Sequence, residues 1–305
     1  MQLEKKEKKL KAMTFAQKEQ IVLNVLFTLV CILFIIPFVL VVSISLSNEQ
    51  DIVMEGYRLL PKNFDLSAYK YVFKNPQRIL NAYKVTIIFS VGHVFLHTFF
   101  CCVAAYPLSK REFFIRKQFT FYLFFTMLFS GGLVPSYILI TQYLHLKNTI
   151  WVYILPGIIS PWNVFMVRTF FQNIPEEMQE AARIDGADEY QIFFRFIIPL
   201  SKPVIATISL LTFLGSWNNW ATSLYYIDNP DLYSLQYLLQ EIMKNIELLT
   251  QSTDLVTSNL LSNEEIPSET VRMAMAVVVA GPALVIFPFF QKYFAKGLTV
   301  GSVKG

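Results

Sequence analysis

Three groups of residues in this 305-residue chain combine types and spacings that could support chemistry. His93, His97 and Cys101 recur at i, i+4 intervals and would share one helix face. Imidazole and thiol are metal ligands, but a metal site needs about four of them and the sequence offers no obvious fourth. The stripe reads as a polar or packed face sheltered inside a helix bundle, with substrate contact as a second reading. Gly215-Ser216-Trp217-Asn218-Asn219-Trp220 sets two indoles beside two amides. Flat apolar faces with donors and acceptors suit a sugar ring, so Trp217, Asn218, Asn219 and Trp220 are candidates for a substrate pathway. An aromatic belt at a membrane surface is the alternative, since Tyr225 and Tyr226 follow.

The third group is the loop from Pro175 to Pro203, a long charged interruption in a very apolar sequence. Pro175 is suited to the first helical position, and Glu176 and Glu177 place negative charge at the positive end of a helix dipole. Asp185-Gly186 is a stop and turn signal. A second helix starts at Asp188, with Gln191 in the capping-box position, and Pro199 closes it. On the first helix Met178, Ala181 and Ala182 share a face edged by Glu180 and Arg183, a small-residue surface suited to close docking on another protein.

No motor or catalytic apparatus accompanies these groups. The chain contains no Gly-Lys dipeptide and hence no G-x-x-x-x-G-K-[ST] phosphate loop, and it lacks H-E-x-x-H and G-x-S-x-G. Cys31, Cys101 and Cys102 lie in apolar runs and suggest no disulfide framework. The sequence is 54% apolar and 16% charged, against roughly 25% charged in soluble domains, which makes a membrane protein the default. Its net charge of +4 is spread between apolar spans, so topology explains it better than nucleic-acid binding does.

Positioning these groups falls to six apolar runs, each able to cross a hydrocarbon core that takes about 20 helical residues. They cover 21–46, 85–106, 119–140, 150–171, 204–227 and 273–294. The first follows a hydrophilic lead, 1–20, and is too long for a cleavable signal, so it is expected to be retained as an anchor. The lead itself reads equally as a helix on the membrane surface or a disordered basic anchor. Of 26 Lys and Arg residues, 17 fall on the side holding both termini and the Pro175 to Pro203 loop, which the positive-inside rule makes cytoplasmic. Gly131, Gly132 and Pro135 interrupt the third span, and Pro156, Gly157 and Pro161 the fourth. Such breakers line pathways or simply kink helices for packing.

Two segments would lie outside. Residues 47–84 mix charges with aromatics, fitting either an external partner or interfacial packing. Residues 228–270 carry eight acids against one base, Lys244, and Leu235, Leu238, Leu239, Ile242 and Ile246 have helical spacing within them. This segment reads as a docking surface or a lid, with a mobile polar part at 251–265.

Glu180-Ala181-Ala182, then Gly186, then Pro199, on a loop before the penultimate span, closely resembles the E-A-A-x3-G-x9-I-x-L-P signature of permease subunits of bacterial ATP-binding cassette importers. Phe196 and Ile198 stand where the signature has Ile and Leu. Further stretches resemble the carbohydrate-importing branch of that family, near the second maltose permease and the complex-polysaccharide and oligosaccharide permeases of Gram-positive bacteria. They are Phe129 to Gly132, Leu146 to Thr149, Ile174 to Glu177, Ala182 to Ala187, Ser216 to Asn218 and Lys296 to Gly305.

The resemblance implies an all-α, polytopic fold of type I importer permeases, in the plasma membrane with both termini cytoplasmic. It implies a heterodimer with a second permease, two ATPase subunits carrying ATP and Mg²⁺, an extracellular lipid-anchored solute-binding protein and a carbohydrate substrate. This chain itself would be no enzyme and hold no cofactor. By the same resemblance Glu180 meets a basic group of the ATPase, Ala181 and Ala182 permit close approach, Gly186 makes the turn, and Arg183, Asp185 and Pro199 complete the coupling set. The tail, 295–305, would add an ATPase contact through Gly297, Thr299, Gly301 and Lys304. His93, His97, Gly131 and Gly132 join the Trp217 to Trp220 group as pathway candidates. The competing class is a self-sufficient secondary transporter or channel, which would need coupling carboxylates or arginines inside its spans; their central portions lack them.

Overall fold

The computed structural model describes residues 2–256 and 268–301, with side chains placed over 19–248 and 268–288. In chain order the helices are α1 (Gln2–Ser45), α2 (Glu49–Glu55), α3 (Ser67–Val72), α4 (Pro76–Ser109), α5 (Arg116–Leu128), α6 (Leu133–Ile138), α7 (Trp151–Ile154), α8 (Pro161–Gln172), α9 (Glu176–Ile184), α10 (Glu189–Gln191), α11 (Ile198–Leu200), α12 (Lys202–Trp217), α13 (Ala221–Tyr226), α14 (Leu235–Val256) and α15 (Ser268–Gly301). Wide π turns occupy Leu139–Tyr143 and Ile192–Ile197, and no strand occurs among the described residues. The chain forms two compact units, Met1–Lys74 with Ile246–Val278, and Asn75–Asn245 with Val279–Gly305.

In the first unit α1 is apolar around its whole circumference from Ile21 onward, with Leu33, Phe34 and Val22 all about two-thirds exposed. A helix apolar on every face and exposed along most of its apolar length is matched to lipid. The charged lead continues into it without a break, in place of the separate surface helix or disordered anchor expected from sequence. The start of α15 is held by one side chain. The Glu49 carboxylate accepts the backbone N–H groups of Ser268 at 3.0 Å, Glu269 at 2.9 Å and Thr270 at 2.9 Å, and the Thr270 hydroxyl at 2.6 Å. It thereby satisfies three of the four donors that a helix N-terminus leaves open.

In the second unit one core joins α4 (Cys101, Cys102, Ala105, Leu108), α8 (Val164, Val167, Phe171), α9 (Ala182), the turn at Ile192–Ile197 and α12 (Val204, Ile208). A second core joins α4 (Val85, Phe89), α7 (Val152, Tyr153, Ile154) and the α13 end at Tyr226 and Ile227. Beside it runs a buried hydroxyl chain. Tyr153 Oη meets Ser223 Oγ at 2.6 Å and donates to Leu232 O at 2.8 Å, while Ser223 and Ser234 bond at 2.9 Å. Thr86 Oγ1 accepts Leu235 N–H at 2.9 Å and starts α14, where the sequence spacing placed a helix.

Among the described residues three single helices are long and apolar enough to cross a membrane, Glu19–Ser45, Pro76–Ser109 and Ser268–Pro288, or five spans if each of two bent helix pairs counts as one. The expected span at 119–140 falls on one bent pair, and that at 204–227 begins in the second arm of the other. Arg116–Leu128 and Leu133–Tyr143 meet at 111°, and Glu189–Leu200 and Lys202–Trp217 at 77°. The expected span at 150–171 is interrupted between Ile154 and Pro161, where Pro156 and Pro161 withhold N–H donors and Gly157 sits at φ +78°. The run at 204–227 is likewise not one helix: α12 stops at Trp217, where Asn218 donates both its backbone N–H, at 3.1 Å, and its Nδ2, at 2.9 Å, to the Leu214 carbonyl. Of the part read as mobile, 251–265, the residues 251–256 belong to α14, and the stretch 257–267 lies outside the described residues.

Candidate functional site

Short-range signals build the charged loop. Glu176 and Glu177 occupy the first turn of α9, and Pro175 precedes the helix as its cap residue, one position earlier than the sequence suggested. The helix ends in a Schellman motif, with Gly186 N–H bonded to Arg183 O at 3.0 Å and Ala187 N–H to Ala182 O at 2.9 Å. Gly186 has φ +84° and open space where a Cβ would stand, so glycine serves the backbone angle and not a close contact. Asp188 then caps the next helix, its Oδ1 accepting Gln191 N–H at 2.7 Å. Pro199 does not close that helix. The chain widens into the π turn before it, because Pro199 has no N–H to return to Arg195, and the break comes at Ser201.

α9 is fixed on one side and bare on the other. Gln179 and Ala182 are buried, and Ala182 packs in the core shared by α4, α8 and α12. The expected face of Met178, Ala181 and Ala182 is thus divided, since Ala182 turns inward while Met178 and Ala181 stay exposed. Two contacts from the end of α4 and one ion pair within the loop hold it. Lys110 Nζ donates to Gln179 Oε1, Tyr106 Oη donates to Glu189 Oε2 at 2.6 Å, and Arg183 pairs with Glu189 at 2.8 Å. Burial pushes the Lys110 ammonium below its ordinary pKa, whereas the hydrogen bond to Glu189 raises that of Arg183. On the bare side lie Glu180, Ala181 and Asp185, with Ile184 at 86% and Tyr190 at 78% exposure. Glu180 makes no ion pair among the described residues, which leaves a carboxylate beside an exposed apolar patch.

The second cluster is a small polar cavity of about 240 Å³ lined by His93, His97, Asn163, Thr212, Ser216 and Asn219 among others. His97 Nδ1 bonds Gly157 O at 2.9 Å and Asn163 Nδ2 bonds His97 Nε2 at 2.8 Å. A carbonyl can only accept and an amide nitrogen only donate, so His97 is neutral with its proton on Nδ1. His93 reaches Ser216 Oγ at 2.9 Å and the same Gly157 carbonyl at 3.4 Å. The two imidazoles therefore satisfy a carbonyl freed by the break between α7 and α8, as broken helices in membranes require. Cys101 Sγ lies 3.5 Å from His97 Nε2, and no group of three His, Cys, Asp or Glu suited to a metal occurs among the described residues. The Thr212 hydroxyl is buried with no hydrogen-bond partner at the wall of this cavity.

Of the pathway candidates the cavity gathers His93, His97 and Asn219. Trp217 is 2% exposed and donates its indole N–H to Val279 O at 3.0 Å, a helix-packing position. Asn218 accepts from Gln236 Nε2 at 3.2 Å, and Trp220 is 40% exposed. Gly131 and Gly132 sit at the 111° bend, where Gly132 adopts φ +85°. Asn163 and Thr212 line the cavity without having been singled out from sequence. A lone Asn beside Pro161 in an apolar run was the available signal. Gly297, Thr299 and Gly301 belong to α15, and Lys304 lies outside the described residues.

A profile described as binding-protein-dependent transport system inner membrane component matches residues 12–300. The chain belongs to that family. Protein LplC of Bacillus subtilis (strain 168) is 38% identical over 273 residues, covering 89% of this chain and 90% of that protein. The polygalacturonan/rhamnogalacturonan transport system permease protein YtcP of the same organism is 36% identical, with 92% and 95% covered. The crystal structure of a bacterial ABC transporter involved in the import of the acidic polysaccharide alginate contains a chain that superposes with TM-score 0.76 at 29% identity, over 90% of this chain and 95% of that one. This inner membrane component accordingly has the ABC importer permease fold. It is a transport subunit and not an enzyme, and ATP hydrolysis belongs to a separate subunit of the system. Family membership favours this role over a self-sufficient transporter or channel.

Proposed function

We propose that this inner membrane component moves an oligosaccharide or another carbohydrate into the cell and is driven through the Pro175 to Pro203 loop by two ATPase subunits that bind ATP and Mg²⁺. The observation that carries the reading is the two-sided character of α9. Its exposed side offers the unpaired Glu180 with Ala181, Asp185 and Ile184, while Ala182 and Gln179 weld the helix to the bundle. A force delivered to the bare side therefore reaches α4, α8 and α12 directly. Gly186 and Asp188 fix the angle of that lever, Arg183 braces it on Glu189, and Pro199 lies in its second arm.

Topology in this reading has six spans, at 21–46, 85–106, 119–140, 150–171, 204–227 and 273–294, with the breaks inside them forming turns at membrane depth. Both termini and the coupling loop face the cytoplasm, supported by the 17 basic residues on that side. The tail, with Gly297, Thr299, Gly301 and Lys304, makes a second ATPase contact. Carbohydrate is handed over outside by a lipid-anchored binding protein. The polar cavity with His93, His97, Thr212, Ser216 and Asn219 is this chain's share of the sugar pathway, and Trp217, Asn218, Trp220, Gly131 and Gly132 support it from nearby turns. At about 240 Å³ it is smaller than the roughly 300–1,000 Å³ of typical ligand pockets, so a second permease, paired as a heterodimer, supplies the remaining walls. Relatives whose names include polygalacturonan, rhamnogalacturonan and arabinooligosaccharides support the substrate class.

Uptake of labelled mono- and oligosaccharides by a strain lacking only this subunit tests the substrate. Loss of uptake for a carbohydrate, restored by the wild-type chain, is expected. Normal uptake of every sugar with loss of another solute class would contradict the reading.

A further inference from the structure

A cavity of about 1,100 Å³ in the second unit opens between the start of α5 and the end of α8 and plays no part in the function proposed above. Four cations line it: Arg111, Arg116, Lys117 and Arg168. Glu112 is the one acid in its wall, and none of the four cations makes an ion pair within 4 Å among the described residues. Arg168 is half-buried. Its Nη1 donates to Thr120 Oγ1 at 3.3 Å, and its Nε is buried with no hydrogen-bond partner. A buried guanidinium donor without an acceptor is costly, and like charges gathered beside it raise that cost. The arrangement is also inverted relative to helix electrostatics. Arg116 and Lys117 occupy the first turn of α5, which contains no acid and no side-chain cap, so two cations sit at the positive end of a 13-residue helix dipole. Both features are relieved by one bound anion.

The remaining lining identifies the kind of anion. Phe114 is 91% exposed, Phe121 68% and Phe124 49%, and all three border the cationic floor. A soluble phosphate would use the guanidinium groups and leave these rings bare. A molecule with an anionic head and apolar tails uses both. We infer that this cavity binds the phosphate headgroup of an anionic phospholipid, with its acyl chains lying along Phe114, Phe121 and Phe124. The bound lipid would tie α5 to α8.

Native mass spectrometry of the assembled transporter, extracted from vesicles containing phosphatidylcholine and phosphatidylglycerol, tests this. The wild-type complex is expected to retain phosphatidylglycerol in preference to phosphatidylcholine. Removing two cations, as Arg116→Gln/Arg168→Gln, should weaken retention about thirtyfold. Arg111→Gln/Lys117→Gln alters exposed residues and should lower retention without loss of fold. Equal retention by wild type and both variants, or no preference for the anionic lipid, overturns the proposal. Inorganic phosphate in a parallel arm separates the sources: protection of the complex by phosphate with no lipid retained rejects a lipid site.

Discussion

At the scale of single residues, Gly186 and Glu180 carry separable roles. Gly186 is defined by its angle, φ +84°, and has nothing near its missing side chain. Gly186→Val should introduce about 1–2 kcal/mol of local strain, whereas Gly186→Asn, which tolerates the left-handed region, should cost less. Copurification of the ATPase with each variant checks this, and the expected order of retained ATPase is wild type, Asn, Val. Glu180 is exposed and structurally idle within this chain, so Glu180→Lys is expected to leave subunit abundance in the membrane unchanged while weakening ATPase binding at least tenfold through charge reversal. A titrated pull-down with purified ATPase reads that ratio. Gly186 and Asp188 were legible in the sequence because their geometry is local, a positive φ asking for Gly and a helix start for Asp, whereas Glu180 was legible through the family signature. Trp217 was not legible in the same way. Its type suggested a sugar platform, but its place was decided by Val279, more than sixty residues away, whose carbonyl takes the indole proton.

Among the elements, α9 and its loop are held in place by contacts that lie far apart in sequence. Tyr106 and Lys110 end α4 and reach Glu189 and Gln179 in the loop. Tyr106→Phe removes a hydrogen bond to a carboxylate, worth about 1.5 kcal/mol at the low end for a partly exposed pair. It should reduce transport per ATP hydrolysed while leaving ATPase binding intact, which parallel uptake and phosphate-release assays on vesicles would measure. The start of α15 depends on Glu49 in a comparable manner. Glu49→Ala leaves three backbone donors open and should destabilise that helix start by about 1–2 kcal/mol, seen as faster amide exchange at Glu269 and Thr270. Glu49→Gln, which still accepts hydrogen bonds, should be milder. Neither device was visible in hydropathy or spacing. The apolar runs were found correctly as apolar, but hydropathy does not register that Asn218 takes a carbonyl from its own helix, or that His93 and His97 compensate the break at Gly157.

For the whole molecule, the family signature on the loop and the composition together disclosed what kind of machine this is. The physical reason is that a transporter lacking a phosphate loop must expose a docking surface, and such a surface needs charge and small residues that stand out in an apolar sequence. A shared core of α4, α8, α9 and α12 runs from that surface toward the polar cavity. Ala182 and Cys101 belong to the same core, and Cys101 lies beside His97 at the cavity. Rigid-body movement of this core is therefore the expected route from ATPase closure to sugar release. The most direct test is uptake of the cognate carbohydrate into vesicles bearing the assembled transporter, measured with and without the ATPase subunit and ATP. The account predicts uptake only when both are present, and its loss in Glu180→Lys vesicles that still contain the subunit. Uptake by the membrane subunits alone, or full transport by Glu180→Lys, would contradict it.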